Sequence, residues 1–393
     1  MRTIVLGYLI RGPLGGLAWH HLQYVMALER LGHDVYFMED SDDYPSCYDP
    51  ERYVVDTDPS YGLRFAANAF DRIGLGSRWA YFDAHTQSWF GPSGARAVAL
   101  CEGANLLLDV SGVNPLREWH LGIPQRVLID TDPAFTQIRH LMDSKAGARA
   151  AKHTAFFSFA ENIRLPESRI PDDGFDWLPT RQPVVLDAWP VTPGNPEGAF
   201  TTVMQWDSYA SLDYAGRHYG MKSESFEPYS DLPRQTRERL EIALGSGTAP
   251  GPRLREQGWC IEDPQRAARD PWIYQDYIRA SKGEFTIAKQ GYVASRSGWF
   301  SERSAAYLAS GRPVVTQNTG FATWLPGGSG LIGFDSPAEA AEALNRVSAD
   351  YTAHCRAARE IAAAFFDSTR VLTSLLERIP HQTTARLGVR EKL

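Results

Sequence analysis

Short apolar runs that close on glycine or aspartate alternate along this chain with stretches in which apolar residues recur every three or four positions. Thr3-Ile4-Val5-Leu6-Gly7-Tyr8 is apolar without alternation, the pattern of a parallel strand buried on both faces. Gly12-Pro13-Leu14-Gly15-Gly16 reads as a loop. Leu17, His21, Tyr24, Leu28 and Leu31 then share one stripe of a helix that Gly32 stops, and residues 34–39 predict the second strand. These segments make a βαβ unit whose first loop is rich in glycine. Residues 105–110, 126–130 and 153–159 predict further strands of the same sheet. The intervening stretch 40–94, rich in Tyr, Asp and Trp, predicts helix and long loops over that sheet's carboxyl edge.

Prolines recur through residues 165–198, a density that excludes continuous helix or central strand and marks a crossing between domains. Beyond it the alternation resumes. Residues 200–204 open a second domain, 232–244 predict a helix and 285–288 a strand. A helix begins at Ser301, a buried Val314-Val315 strand follows Gly311, and helices are expected over 337–347 and 353–379. The expected architecture is α/β, with two Rossmann-like domains facing a central cleft. The first covers residues 1–190 and the second 191–360, while a helical region over 361–393 crosses back to the first.

A length of 393 residues suits two domains, each with its own core. The formal net charge is −7 and the basic residues, mostly Arg, form no runs, so no nucleic-acid partner is expected. Cys47, Cys101, Cys260 and Cys355 are scattered without metal-ligand or disulfide spacing. They read as free thiols of a reducing compartment, and with no apolar run of membrane-spanning length the expected location is cytoplasmic. No carboxylate or histidine spacing signals a bound metal.

The segment from Ser301 to Gly320 carries the strongest chemical signal. A helix start offers unpaired backbone N–H groups and the positive end of its dipole, so Ser301, Glu302, Arg303 and Ser304 form a candidate phosphate site, with Arg303 as a bidentate donor. Gln317, Asn318, Thr319 and Gly320 end the following strand and are candidates for contacts to the same ligand. In the first half, Gly15 and Gly16 allow a close approach of backbone to ligand. His20, in the first turn of the helix, either faces the cleft as a sugar contact or base, or packs and caps. Asp132 follows an apolar strand, where it either orients or deprotonates an acceptor, or caps the helix after Pro133.

Gly15-Gly16-Leu17-Ala18-Trp19-His20, followed by Leu31-Gly32-His33-Asp34-Val35, resembles the entry motif of GT4-like glycosyltransferases. Ala309-Ser310-Gly311-Arg312-Pro313-Val314-Val315 resembles the donor-domain motif of the GT-B fold. The resemblance implies a nucleotide-sugar-dependent hexosyltransferase of GT-B architecture in a divergent GT4-like branch. Its C-terminal domain would bind the donor and its N-terminal domain a small-molecule acceptor, without a metal or any cofactor beyond the UDP-, GDP- or dTDP-sugar. It also implies that Lys222, after the first loop of the second domain, meets the donor diphosphate, which needs cationic stabilisation as it leaves. The glutamate pair usual in such enzymes aligns with Gly298 and Ala306 here. Glu302, one turn before Ala306, is the nearest carboxylate. A GT-B-shaped nucleotide-sugar epimerase and a non-catalytic binding protein are the alternatives.

Overall fold

The structure, a computed structural model, describes residues 1–245 and 247–380. Two mainly parallel sheets lie one in each half of the chain. The first is built from β1 (Arg2–Leu6), β2 (Asp34–Asp40), β3 (Trp79–Asp83), β4 (Ser88–Phe90), β5 (Leu106–Val110), β6 (Gln125–Asp130), β7 (Ala155–Ser158) and β8 (Trp177–Pro179). Its spatial order is β8-β7-β6-β5-β1-β2-β3-β4, with only β4 antiparallel to its neighbour. The second contains β9 (Phe200–Gln205), β10 (Leu240–Gly245), β11 (Cys260–Glu262), β12 (Gly283–Thr286), β13 (Val314–Gln317) and β14 (Leu331–Phe334), in the order β11-β10-β9-β12-β13-β14. Each sheet runs outward on one side of its first strand and then resumes on the other. That places a switch point between β1 and β5 in one lobe and between β9 and β12 in the other.

The continuous apolar strands are buried on both faces: Val5, Leu108, Val127 and Val314 are all fully enclosed. One apolar cluster runs from β1 and helix α1 (Gly15–Arg30) through Trp189 to helix α2 (Pro271–Ala280) and helix α3 (Glu302–Ala309), so the lobes share a core. After Asp367 caps helix α4 (Ser368–Glu377), that helix packs on α1, and Arg378 donates to the carbonyl of Pro179. Residues 381–393, the end of the expected helical region, lie outside the described residues.

The helix expected over 232–244 is not formed. Only Leu232–Arg234 makes a 3₁₀ turn, and Leu240–Gly245 is β10, paired in register with all of β9. Leu232 and Leu240 are compatible with helical spacing, but Pro233 shortens any helix there. Leu240 and Ile242 point into the core as alternate residues of a strand. The stretch 40–94 holds, besides helix Ser60–Arg72, the strand β3 and an antiparallel hairpin (Cys47–Asp49 with Val54–Asp56).

Candidate functional site

In the first lobe the loop after β1 is shaped by one carboxylate. Glu39, at the end of β2 and fully buried, accepts from the backbone N–H groups of Leu9, Ile10 and Arg11, each at 2.7 Å, and from Arg11 Nε at 3.3 Å. A Rossmann loop of this kind could otherwise cradle a phosphate, but here the chain's own anion fills the nest. The loop therefore presents side chains rather than an anion hole. Tyr8 is half-buried, and His20, at the start of α1, is buried with its ring edge-on to Phe159. Burial lowers the pKa of His20, partly countered by the negative charge of Glu302 from the second lobe, so the imidazole is neutral. Among the described residues neither ring nitrogen of His20 has a hydrogen-bond partner. His21 is fully buried and its Nε2 accepts from the Tyr8 backbone N–H.

Gly15 and Gly16 do allow a close approach, but of protein to protein. A methyl on Gly15 would stand 2.5 Å from the Asp270 carbonyl oxygen, and one on Gly16 would stand 3.3 Å from the Tyr274 ring. These glycines let α1 dock against α2 of the second lobe, where Trp19 Nε1 donates to the carbonyl of Pro271 at 2.6 Å. The close approach that these glycines allow is thus used for the interlobe seam.

In the second lobe α3 begins over the β9–β12 switch point. Ser301 caps its own helix by accepting from the Arg303 N–H at 3.2 Å. The Arg303 guanidinium points inward: Nε donates to Glu284 at 2.5 Å, one terminal nitrogen to the Val203 carbonyl at 2.8 Å and the other to Thr286 Oγ1 at 2.7 Å. All three nitrogens are engaged by the chain itself. The expectation of a bidentate phosphate ligand is therefore corrected: Arg303 neutralises the buried Glu284 and ties β9 to β12. Ser304 is fully buried with its hydroxyl unpartnered, and so does not face the gap.

The loop after β13 is also turned inward. Gln317 accepts from the Ala288 N–H, Asn318 from the Gly320 N–H, and Thr319 donates to the Trp299 carbonyl. The Gly320 carbonyl accepts from Asn162 of the first lobe at 3.0 Å. These residues build the interlobe wall rather than a ring of free donors.

What remains open to a ligand is narrower than the sequence suggests. The backbone N–H groups of Phe300, Ser301 and Glu302 donate to no group of the chain among the described residues. Glu302 makes no ion pair there, although its charge acts on His20, Tyr8 and Lys222. Lys222 opens the short helix Lys222–Phe226, half-buried, with no carboxylate or hydrogen-bond partner among the described residues. Burial first, then the positive charges of Arg303 and Lys289, pull its pKa down to about 7. A half-buried ammonium crowded by two other cations and lacking a counter-ion is a place for an anion.

Asp132 has a different place from the one expected. Its carboxylate receives Lys289 Nζ at 2.9 Å and the hydroxyls of Tyr209 and Tyr292 from the second lobe, and Arg139 at 2.7 Å from its own. Burial pushes its pKa up, but Lys289 and Arg139 outweigh that and hold it well below the usual carboxylate range. A carboxylate so saturated cannot take a proton from an acceptor, so the role of base is corrected to that of an interlobe clasp. Lys289, Tyr209 and Tyr292 carried no sequence signal, because they converge on Asp132 from far along the chain. Asp132→Asn should lower the unfolding free energy by about 3 kcal/mol, as expected for breaking a buried pair, measured by denaturant unfolding. A loss under about 1 kcal/mol would put the clasp in the class of exposed ion pairs.

Among the described residues no three His, Cys, Asp or Glu side chains gather as a metal site, and no helix is long and apolar enough to cross a membrane. No family model and no curated protein matches the sequence. Solved structures do match. An alpha-glucosyltransferase in complex with UDP-glucose and DNA containing an abasic site is 12% identical, with a TM-score of 0.56, over 96% of this chain and 99% of that one. AviGT4, a glycosyltransferase involved in avilamycin A biosynthesis, is 13% identical with a TM-score of 0.53, over 96% and 97%. Anabaena HepE in complex with UDP-glucose is 13% identical with a TM-score of 0.56, over 96% and 98%. The chain has the GT-B glycosyltransferase fold. The exclusion of a nucleic-acid partner is overturned by the first of these: the same fold is held there with DNA. Scattered basic residues and a negative net charge describe the whole chain and not the potential of any one face.

Proposed function

We propose that this chain transfers a glycosyl group from a nucleotide-sugar, with UDP-sugars as the first donors to test, to an acceptor bound by the first lobe. The observation that carries the reading is Lys222: an ammonium with no ion-pair partner among the described residues, coupled electrostatically to Arg303 and Glu302 at the start of α3, where the N–H groups of Phe300, Ser301 and Glu302 have no acceptor among the described residues. Those groups suit a diphosphate. In the first lobe the matching nest is filled by Glu39, which favours the second lobe as the donor side. The division of labour follows the sequence reading, with residues 1–190 for the acceptor and 191–360 for the donor.

In the transfer, the bond from the anomeric carbon to the diphosphate oxygen breaks, and the nucleoside diphosphate leaves with the electron pair. The acceptor oxygen forms the new bond and gives up its proton. His20, neutral and without a hydrogen-bond partner among the described residues, is the group of the first lobe suited to take that proton. Lys222 and the start of α3 stabilise the charge developing on the leaving group. Glu302, whose charge acts on both His20 and Lys222, is the carboxylate suited to hold the sugar's hydroxyls.

The acceptor we propose is a small hydroxylated molecule. UDP, GDP, dTDP and ADP at 100 times their dissociation constants should each add about 2.7 kcal/mol of stability where they bind, read as a rise in melting temperature. Turnover of the best donor is then followed with a panel of small acceptors, with DNA and with no acceptor. Transfer to DNA alone replaces the small-molecule reading. Conversion of the donor without any acceptor favours an epimerase, and no shift with any nucleotide removes the proposal altogether.

A further inference from the structure

Tyr8 is the second residue after β1 and carries no motif signal of its own. Its position is set by several independent contacts. Its backbone N–H donates to His21 Nε2 at 3.2 Å, and its ring meets the His21 ring edge-on at 5.1 Å. The next three residues are pinned to the Glu39 carboxylate, and a methyl on Gly12 would stand 3.4 Å from the Tyr8 ring. The ring is therefore held by a rigid loop at the carboxyl end of β1, on the switch point of the first sheet. Its hydroxyl has no hydrogen-bond partner among the described residues, and it is not one of the buried polar atoms sealed inside the protein. Glu302 of the second lobe and Asp132 of the first both act on it electrostatically. Burial, and then those two carboxylates, push its pKa up, so it stays a hydrogen-bond donor over the whole physiological range.

We propose that the Tyr8 hydroxyl donates a hydrogen bond to the glycosyl group during transfer, making Tyr8 a substrate-contacting residue supplied by the first lobe. This rests on the nucleotide-sugar reading above. The diphosphate is gripped from the second lobe at Lys222 and the start of α3, so the group attached to its far end projects toward the lobe opposite. The side chains of that lobe on which the charge of Glu302 acts are Tyr8 and His20. His20 is a neutral imidazole suited to accept a proton, whereas Tyr8 is a fixed donor. The two therefore divide the work: Tyr8 orients the sugar and His20 serves the acceptor. A preorganised donor of this kind costs little side-chain entropy at binding, because its loop is already immobilised.

The test is Tyr8→Phe, which keeps the ring and removes only the hydroxyl. Melting temperature and the stabilisation by sugar-free nucleoside diphosphate should match wild type, while kcat/KM for the nucleotide-sugar falls about tenfold, the effect of one lost hydrogen bond. The KM for the acceptor should not move. Monodeoxy donor sugars give the second arm: one of them should lose about tenfold against the parent sugar with wild type and almost nothing with Tyr8→Phe. Unchanged donor kinetics overturn the proposal, as does a loss confined to the acceptor KM or a deoxy penalty that persists undiminished in the variant. A variant that loses the diphosphate shift also overturns it, since Tyr8 would then shape the diphosphate pocket instead. Failure of wild type to bind any nucleoside diphosphate takes down the underlying reading first, which separates the two failures.

Discussion

Lys222→Met should abolish the thermal shift given by nucleoside diphosphates and cut turnover by about 10²- to 10³-fold. The variant's own melting point should stay near that of wild type or rise. The side chain makes no ion pair or hydrogen bond among the described residues, so replacing it with an isosteric apolar chain breaks nothing in the fold. It removes the cation of the second-lobe cluster that has no ion-pair partner among the described residues: Arg303 is committed to Glu284, and Lys289 to Asp132. Losing a single preorganised group that stabilises developing charge costs about 3–4 kcal/mol in the transition state. Calorimetric titration with the best nucleotide, beside initial rates, reads both effects. Retained binding with wild-type affinity would show that the anion sits elsewhere.

The same residue sets a pH dependence whose sign can be worked out. In the free protein its pKa is about 7, against about 10.4 for an unperturbed lysine. A bound diphosphate favours the charged form and raises that pKa, so binding takes up a proton above neutrality. Affinity should be highest below pH 7 and should weaken as pH rises through 7, by up to about tenfold per unit, until the pKa of the complex is reached. The stability of the free protein runs the other way. The unfolded chain binds this proton more tightly between about pH 7 and 10, so the contribution of Lys222 to stability improves as pH rises across that window. Lys222→Met should flatten both dependences.

How much of this was legible in the sequence depended on range. The inner strands of the first sheet show as continuous apolar runs because both of their faces are covered, and the βαβ entry follows from Gly12 to Gly32 alone. The helix expected over 232–244 gives way to β10 because the spacing of Leu232 and Leu240 satisfies a helix as well as a strand, and only pairing with β9 decides between them. Within the proposed site, local chemistry pointed to the start of α3 and the family resemblance to Lys222. It could not show that Glu284, nineteen residues before Arg303, already holds that guanidinium. Nor could it show that Gly15 and Gly16 meet a helix some 255 residues later, or that Lys289, Tyr209 and Tyr292 converge on Asp132. Motif spacing reports a loop and its donors. Whether those donors are spent inside the protein is a property of the folded lobe.

That distinction makes Arg303→Ala the sharpest test of the corrected site. As a phosphate ligand, Arg303 could be removed at little cost to the free protein, with the loss appearing in nucleotide binding. The geometry requires the opposite. Glu284 is fully buried and its second carboxylate oxygen is already without a partner, so deleting the guanidinium leaves an uncompensated charge between β9 and β12. The Val203 carbonyl and Thr286 lose a donor as well. Breaking a buried pair by removing one partner costs about 3–5 kcal/mol, which in a protein of this size corresponds to a fall in melting temperature of roughly 5 °C. Adding Glu284→Gln to Arg303→Ala should recover a good part of that loss, because the stranded charge disappears with it, and the cycle of single and double variants measures their coupling. The outcome that would return Arg303 to the donor site is a variant that melts with wild type yet no longer responds to any nucleoside diphosphate.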